Sequence, residues 1–198
     1  MTVMRKIGAH NRSSGAIAGK RMRQALGLPK GSGFCVPIPL HLLESHAWAA
    51  QSSQCRKFID VLMAEHAAHG GAENGNLKAP YTQLRARGIR GEIVLDVVME
   101  AKALGIADHV RGQRSYGSKR APSEYRLTWL GTPDGLPPTN EWKSIKSPEE
   151  AIARKTNARE ALARERAIKR ARRAERLARQ ALVTSDASTP SDRRSGAA

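Results

Sequence analysis

Aromatic residues are scarce: two phenylalanines, three tyrosines and three tryptophans make up 4 % of the 198 residues. So little large apolar surface favours one small core with loose ends over several cores. Cysteine is scarcer still, and Cys35 and Cys55 alone exclude a disulfide framework and fit thiols kept reduced. Long apolar runs are missing too: Val36–Leu43 and Ile93–Met99 are broken by Pro, His or Asp, and neither approaches the roughly 18 residues that span a bilayer. No membrane partner is predicted. Behind Arg5 and Lys6 come Gly8, His10, Asn11, Arg12 and Ser13 in place of the apolar segment of a secretory signal, so the chain is expected to be cytoplasmic. Acidic residues are the last shortage, with 18 Asp+Glu against 34 Lys+Arg, a net charge of +16 and a pI near 10.7.

That charge is unevenly spread. Residues 1–33 carry +7 without a single acid, residues 34–146 only +3, and residues 147–198 carry +6. The middle therefore has a nearly ordinary globular composition, while the basic excess sits mainly in segments with few large apolar residues, which cannot bury a core. A polyanion is the natural partner of such segments, because Lys and Arg beside phosphates release condensed counterions and gain sequence-independent affinity. Nucleic acid is preferred over an anionic membrane, since the basic tail has no bulky aromatic or leucine face to insert.

Residues 1–33, with glycine at 8, 15, 19, 27, 31 and 33, read as a flexible basic arm with a short helix near Lys20–Leu26, and 34–50 as an N-terminal extension. From Ser52 the pattern changes. Cys55, Phe58, Ile59, Leu62, Met63 and His66 recur at helical spacing, Ser52 or Ser53 caps the start, and Gly70–Gly71 ends the helix. An extended piece follows at Asn76–Lys78, then a two-turn helix opened by Pro80 with Tyr81 and Leu84 facing inward and Gly88 closing it. A third helix is predicted over roughly Arg90 to Leu104, with Gly105 just past its end. Ile106–Val110 and the alternation Tyr125, Leu127, Trp129 then form two strands joined by a basic loop over 111–122. Helix, short strand, helix, turn, helix, strand, loop, strand is the order of a helix-turn-helix with a two-stranded wing. The expected fold class is mainly α with a small β-hairpin wing.

The runs ENGNL at 73–77, YTQLRARGIR at 81–90, EAKALGI at 100–106 and SEYRLTWLG at 123–131 resemble winged-helix proteins of proteobacterial chromosomes, plasmids and prophages. The resemblance covers roughly residues 51–145, with the winged-helix domain itself at 51–131. It implies double-stranded DNA as the partner and transcription regulation or replication as the role, on a fold that serves many roles.

Beyond Gly131, residues 132–147 are proline-rich and read as a linker, with Trp142 packing back onto the domain. From Pro148 to Leu182 there is no Pro or Gly, and Ala, Arg and Glu predict one long basic helix. Its Ala167, Ala171, Ala174, Ala178 and Ala181 are spaced as a seam, but alanine alone buries little, and the sequence leaves oligomeric state open. Residues 183–198 read as a disordered tail.

Chemistry was sought in three places. Gly15–Arg21 is one residue short of a phosphate-binding loop and has Arg21 where a Ser or Thr meets magnesium. EHAAH at 65–69 is not the order that sets a base beside zinc, so His66 and His69 read as last-turn residues meeting the helix dipole. Glu92, Asp96 and Glu100 share one helix face, yet no histidine converges on them. No enzyme, cofactor or metal is predicted.

The sequence assigns DNA contact to Arg111, Arg114, Lys119 and Arg120 on the wing, and to Arg85, Arg87 and Arg90 near the helix-turn-helix. One feature opposes deep groove insertion: the third helix is expected to turn Glu92, Leu95, Asp96, Met99 and Glu100 outward, where similar winged helices have Arg, Ser or Ala. The alternative reading is therefore an adaptor, with that acidic and apolar face on a protein and the basic tails on nucleic acid, DNA or RNA.

Overall fold

The computed structural model describes Gln24, Gly27, residues 35–110 and residues 123–186. The expected basic arm, its short helix apart from Gln24, the whole 111–122 loop and the tail beyond 186 lie outside the described residues.

Two serines set the first helix starts. After a four-residue turn of helix, α1 (Leu40–Leu43), the Ser45 side chain accepts from the Trp48 N–H at 3.1 Å and opens α2 (His46–Ala49). Ser52 does the same for α3 (Ser53–Ala68), accepting from the Cys55 N–H at 3.2 Å. Each bond satisfies a donor that a helix start leaves open. Then follow β1 (Leu77–Lys78), α4 (Tyr81–Ala86), a 3-10 turn at Gly91–Ile93, α5 (Val94–Ala103), β2 (Ala107–Val110) and β3 (Glu124–Leu127). A second 3-10 turn at Glu141–Ser144 precedes α6, which runs from Pro148 to Asp186, about a turn past its expected end.

The chain is thus mainly helical with a small antiparallel sheet, a layout compatible with a winged helix. Three strands form the sheet, in the order β1-β3-β2, with Leu77 opposite Tyr125 and Ala107 opposite Leu127. The expected wing had two strands, and β1 adds the third by pairing with β3. Strand alternation ends at Leu127. The Thr128 hydroxyl turns inward and donates to the carbonyls of Gly105 and Ile106 at 2.7 and 3.0 Å, and Trp129 next to it is also buried, its indole N–H donating to Pro37 at 3.0 Å. Successive residues point inward there because the chain is turning.

The core forms where α3, α5 and the sheet meet. Phe58, Ile59 and Leu62 from α3 pack with Val97, Val98 and Ala101 from α5 and with Leu77, Tyr125 and Leu127 from the strands. A fully buried side chain of this size contributes about 1.5–3 kcal/mol. Leu42 and Trp48 join this core from the segment before α3, and Trp142, Ile145 and Ala151 from the segment after the sheet, where the Trp142 ring lies 5.6 Å from that of His41. Asn74 is the polar clasp: it accepts from the Leu127 N–H at 2.7 Å and donates to the carbonyls of Leu127, Leu130 and Gly131, tying the loop before β1 to the end of β3. No helix among the described residues is long and apolar enough to cross a membrane.

His66 is a buried titratable group, 4 % exposed on the last turn of α3. Burial first, and the nearby His69 second, lower its pKa from the usual 6.5. The unfolded chain therefore takes up the proton first on acidification. Stability is fully present above about pH 6.5 and is lost as pH falls from there through the folded-state value. Thermal melts from neutral to mildly acid pH are expected to show a falling Tm that flattens in His66→Gln; an equally steep fall in both proteins assigns the loss to other groups.

The chain divides into two compact units, through Ala158 and from Arg159. The second, as described, is helix alone.

Candidate nucleic-acid interface

Only Leu84 anchors α4 in the core, and the remaining side chains of this six-residue helix are exposed. Tyr81 is among them, 61 % exposed, against the expectation that it faces inward. Side chains tilt toward the helix N-terminus, so the first residue of a helix projects past its start instead of over the core.

Arg85, Arg87 and Arg90 are all exposed, as a DNA contact requires. The structure does not bring all three together. Arg85 and Arg90 line one notch of about 290 Å³ with Gly88, Ile89, Gly91 and Glu92, whereas Arg87 lines another between α3 and α4 beside Glu65. Lys57, from α3, joins the first group: its ammonium lies 3.6 Å from where a Cβ on Gly88 would stand. From the other side, the Tyr81 ring and the Arg85 guanidinium each come to 3.9 Å from the corresponding position on Gly91. Three cations and an exposed ring therefore border one turn. Such a surface holds phosphate oxygens by charge-assisted hydrogen bonds, and the ring offers a flat apolar face beside them. Lys57 was legible as a polar-face residue of α3 but carries no motif, and Tyr81 was hidden by its spacing from Leu84.

Arg111, Arg114, Lys119 and Arg120 lie outside the described residues. What is described is their frame, in which the last strand pair sets Val110 opposite Glu124.

The acidic face of α5 needs correction. Glu92 is exposed and Leu95, Asp96 and Met99 are half-buried, but Glu100 is buried, only 2 % exposed, and cannot join an outward contact. Four-residue steps advance about 40° around a helix of 3.6 residues per turn, so a row at 92, 96 and 100 crosses from solvent toward the core. Glu100 instead accepts from the Ser52 N–H at 2.6 Å and from the Ser52 hydroxyl at 3.0 Å. The ammonium of Lys155 stands 4.0 Å away and donates to Ala50 at 2.7 Å. This acid is structural: it holds the start of α3 and the first turns of α6 against α5.

At the root of the strands an open cleft of about 690 Å³ is lined by residues including Asp108, His109, Tyr125, Arg126 and Asp134. Asp108 pairs with Lys102 at 3.1 Å and faces Arg126 at 3.9 Å. Burial raises its pKa but is outweighed by hydrogen bonds from Lys102 and the His109 N–H and by the charges of Lys102 and Arg126, so the carboxyl lies below its usual range. A carboxylate held ionised this way is a poor proton donor. His109 is stacked on Tyr125 at 5.4 Å, and Tyr125 meets Phe58 edge-on at 5.2 Å. No group of three or more His, Cys, Asp or Glu placed to hold a metal ion occurs among the described residues.

No protein family, no curated protein and no solved structure matches this chain.

Proposed function

We propose that this chain is a non-enzymatic winged-helix protein that binds double-stranded DNA, with the α4 side of the helix-turn-helix and the wing on the phosphates. One observation carries the reading: Lys57, Arg85 and Arg90 border the turn between α4 and α5, in a chain whose elements follow the winged-helix order. Contact by this side also accommodates the acids of α5. Asp96 would repel phosphates if α5 entered the groove deeply and lies outside the α4 notch, whereas Glu92 lines that notch beside Arg85 and Arg90, whose two charges outnumber it. Transcription regulation or replication on a bacterial or mobile-element genome is the role this reading takes from the resemblance.

Duplex titrations at several salt concentrations test it. Replacing Lys57, Arg85 and Arg90 by Gln is expected to flatten the slope of log K against log salt by about 0.9 per lost phosphate contact. Stability should stay within about 0.5 kcal/mol, since all three are exposed. An unchanged slope overturns this interface. The adaptor reading is favoured by the half-exposed Leu95 and Met99 beside Glu92 and Asp96. It gains if Glu92→Gln with Asp96→Asn leaves duplex affinity unaltered but abolishes binding of a protein partner, whereas a rise in duplex affinity places α5 near phosphate.

A further inference from the structure

The second unit carries its own charge pattern. Its three glutamates pair within the helix: Glu160 with Arg164 at 3.1 Å, Glu175 with Arg179 at 2.7 Å, and Glu165 with Lys169. Each is a Glu four residues ahead of its cation, the favourable orientation, and each adds helix stability on an element with little apolar surface. Among the described residues no acid pairs with Arg170, Arg172, Arg173 or Arg176, all exposed.

Position around the helix matters more than number. At about 100° per residue, Arg159, Arg166, Lys169, Arg170, Arg173 and Arg176 fall within one stripe about 120° wide, and Glu160, Glu165 and Glu175 fall outside it, Glu165 just beyond its edge. The stripe is exposed from Lys169 onward; before it Arg159 is exposed, but Arg166 is half-buried and Leu162 between them is buried. We infer that this stripe of α6 is a second, sequence-independent binding track for the phosphate backbone of a duplex nucleic acid. The inference rests on the nucleic-acid reading above and adds a contact that the helix-turn-helix does not make. Three features favour phosphate. Four exposed cations of the stripe lie between 169 and 176, and Arg170, Arg173 and Arg176 recur at three-residue steps, about 4.5 Å of axial rise each, which offers about one cation per backbone phosphate. Three of those four are arginines, whose planar fork matches phosphate oxygens in pairs. Leu177 is the single exposed large apolar side chain in the stripe, and the flank at 167, 171, 174 and 178 is alanine, too little apolar surface to insert into lipid as an interfacial helix does.

The test uses the full chain and two variants of equal charge loss. One changes Arg170, Arg173 and Arg176 to Gln, inside the stripe; the other changes Arg164, Arg172 and Arg179 to Gln, outside it. Binding is titrated against salt on a mixed-sequence DNA duplex and on an RNA duplex, with circular dichroism to follow helix content. The stripe variant is expected to flatten the slope of log K on the DNA duplex by about two to three, at about 0.9 per contact, and the other variant by less than about one. Loss on both duplexes, or on one, supports the track and says which backbone it follows. Equal losses in the two variants, or an unchanged slope in the stripe variant, overturn it. Binding to phosphatidylserine vesicles that the stripe changes abolish, with duplex binding intact, overturns it in favour of a lipid surface. Should the Gln variant lose helix, Lys at the same three positions keeps charge and helix propensity, and it must then bind like the parent chain. The Lys57, Arg85 and Arg90 variant separates the two readings: if it binds normally while the stripe variant fails, the helix-turn-helix interface falls and the track stands. A full chain that binds neither duplex overturns both.

Discussion

Glu100→Ala is expected to lower the unfolding free energy by about 3 kcal/mol, although the residue sits in a row of acids that otherwise faces water. The loss comes from what stays behind. Without the carboxylate, the Ser52 N–H and hydroxyl lose acceptors at 2.6 and 3.0 Å, and the half-buried ammonium of Lys155 loses its counter-charge. Ser52 then still caps α3 through Cys55, but the polar tie between that cap and α5 is gone and apolar packing alone holds them. Glu92→Gln, in the 3-10 turn just before α5 and exposed, is expected to change stability by less than about 0.5 kcal/mol. Urea titration followed by tryptophan fluorescence reads both. A double-mutant cycle of Glu100→Gln with Lys155→Met goes further, because the two side chains belong to α5 and α6. A coupling of about 1 kcal/mol or more is expected from a partly buried pair, and none from a solvent-screened one. If Glu100→Ala matches Glu92→Gln, the acid is not the buried tie described here.

Periodicity made the helices legible, because a stripe of apolar residues states both the period and the face. Cys55, Phe58, Ile59, Leu62 and His66 are all buried on α3, within residues of the expected bounds. Val97, Ala101 and Leu104 did the same for α5. Residue chemistry misled where phase was the better guide. Glu100 lies about 60° from Val97 and about 40° from Leu104 around the helix, inside the arc that the apolar residues define. Its charge suggested solvent, and only the partners supplied from Ser52 and Lys155, distant in sequence, make burial tolerable. Trp142 was expected to pack back and does, at 4 % exposure. The core's dependence on Leu42 and Trp48 was not legible, since α1 and α2 are four residues each and too short to show a period. The candidate site was half legible. Arg85 and Arg90 declared themselves by charge beside a turn, but the approach of Lys57 to Gly88 is a tertiary contact that no local pattern encodes.

Gly105 carries the second large effect. It was legible as a helix-ending glycine, and it has the left-handed φ of +64° that such a position takes. Its closer constraint is steric. A Cβ there would meet the Trp142 backbone nitrogen at 2.6 Å, the Glu141 carbonyl carbon at 2.7 Å and the Glu141 Cβ at 2.9 Å. Backbone atoms cannot swing aside as a flexible side chain does, so the 3-10 turn at Glu141–Ser144 has to shift. That turn bears Trp142, and Asn140 just before it donates to the Thr128 carbonyl at 3.0 Å, while Thr128 donates in turn to Gly105 and Ile106. Gly105→Ala therefore adds left-handed strain of about 1–2 kcal/mol to an overpacking cost of about 1–3 kcal/mol. A net loss of about 3 kcal/mol is expected, with a change in tryptophan emission as Trp142 leaves its buried setting. Ala at Gly135 isolates the two contributions: φ there is +88° but nothing lies within 4 Å of the added Cβ, so only backbone strain is expected. If the two alanine variants lose equal stability, backbone strain accounts for both and the close approach of the Trp142 segment is wrong. If Gly105→Ala loses more, the segment after the sheet is fixed by the same residue that stands between α5 and β2. A change in the packing of Trp142 then displaces the strand that leads into the basic loop, and duplex binding is expected to weaken in this variant even where urea shows it still folded.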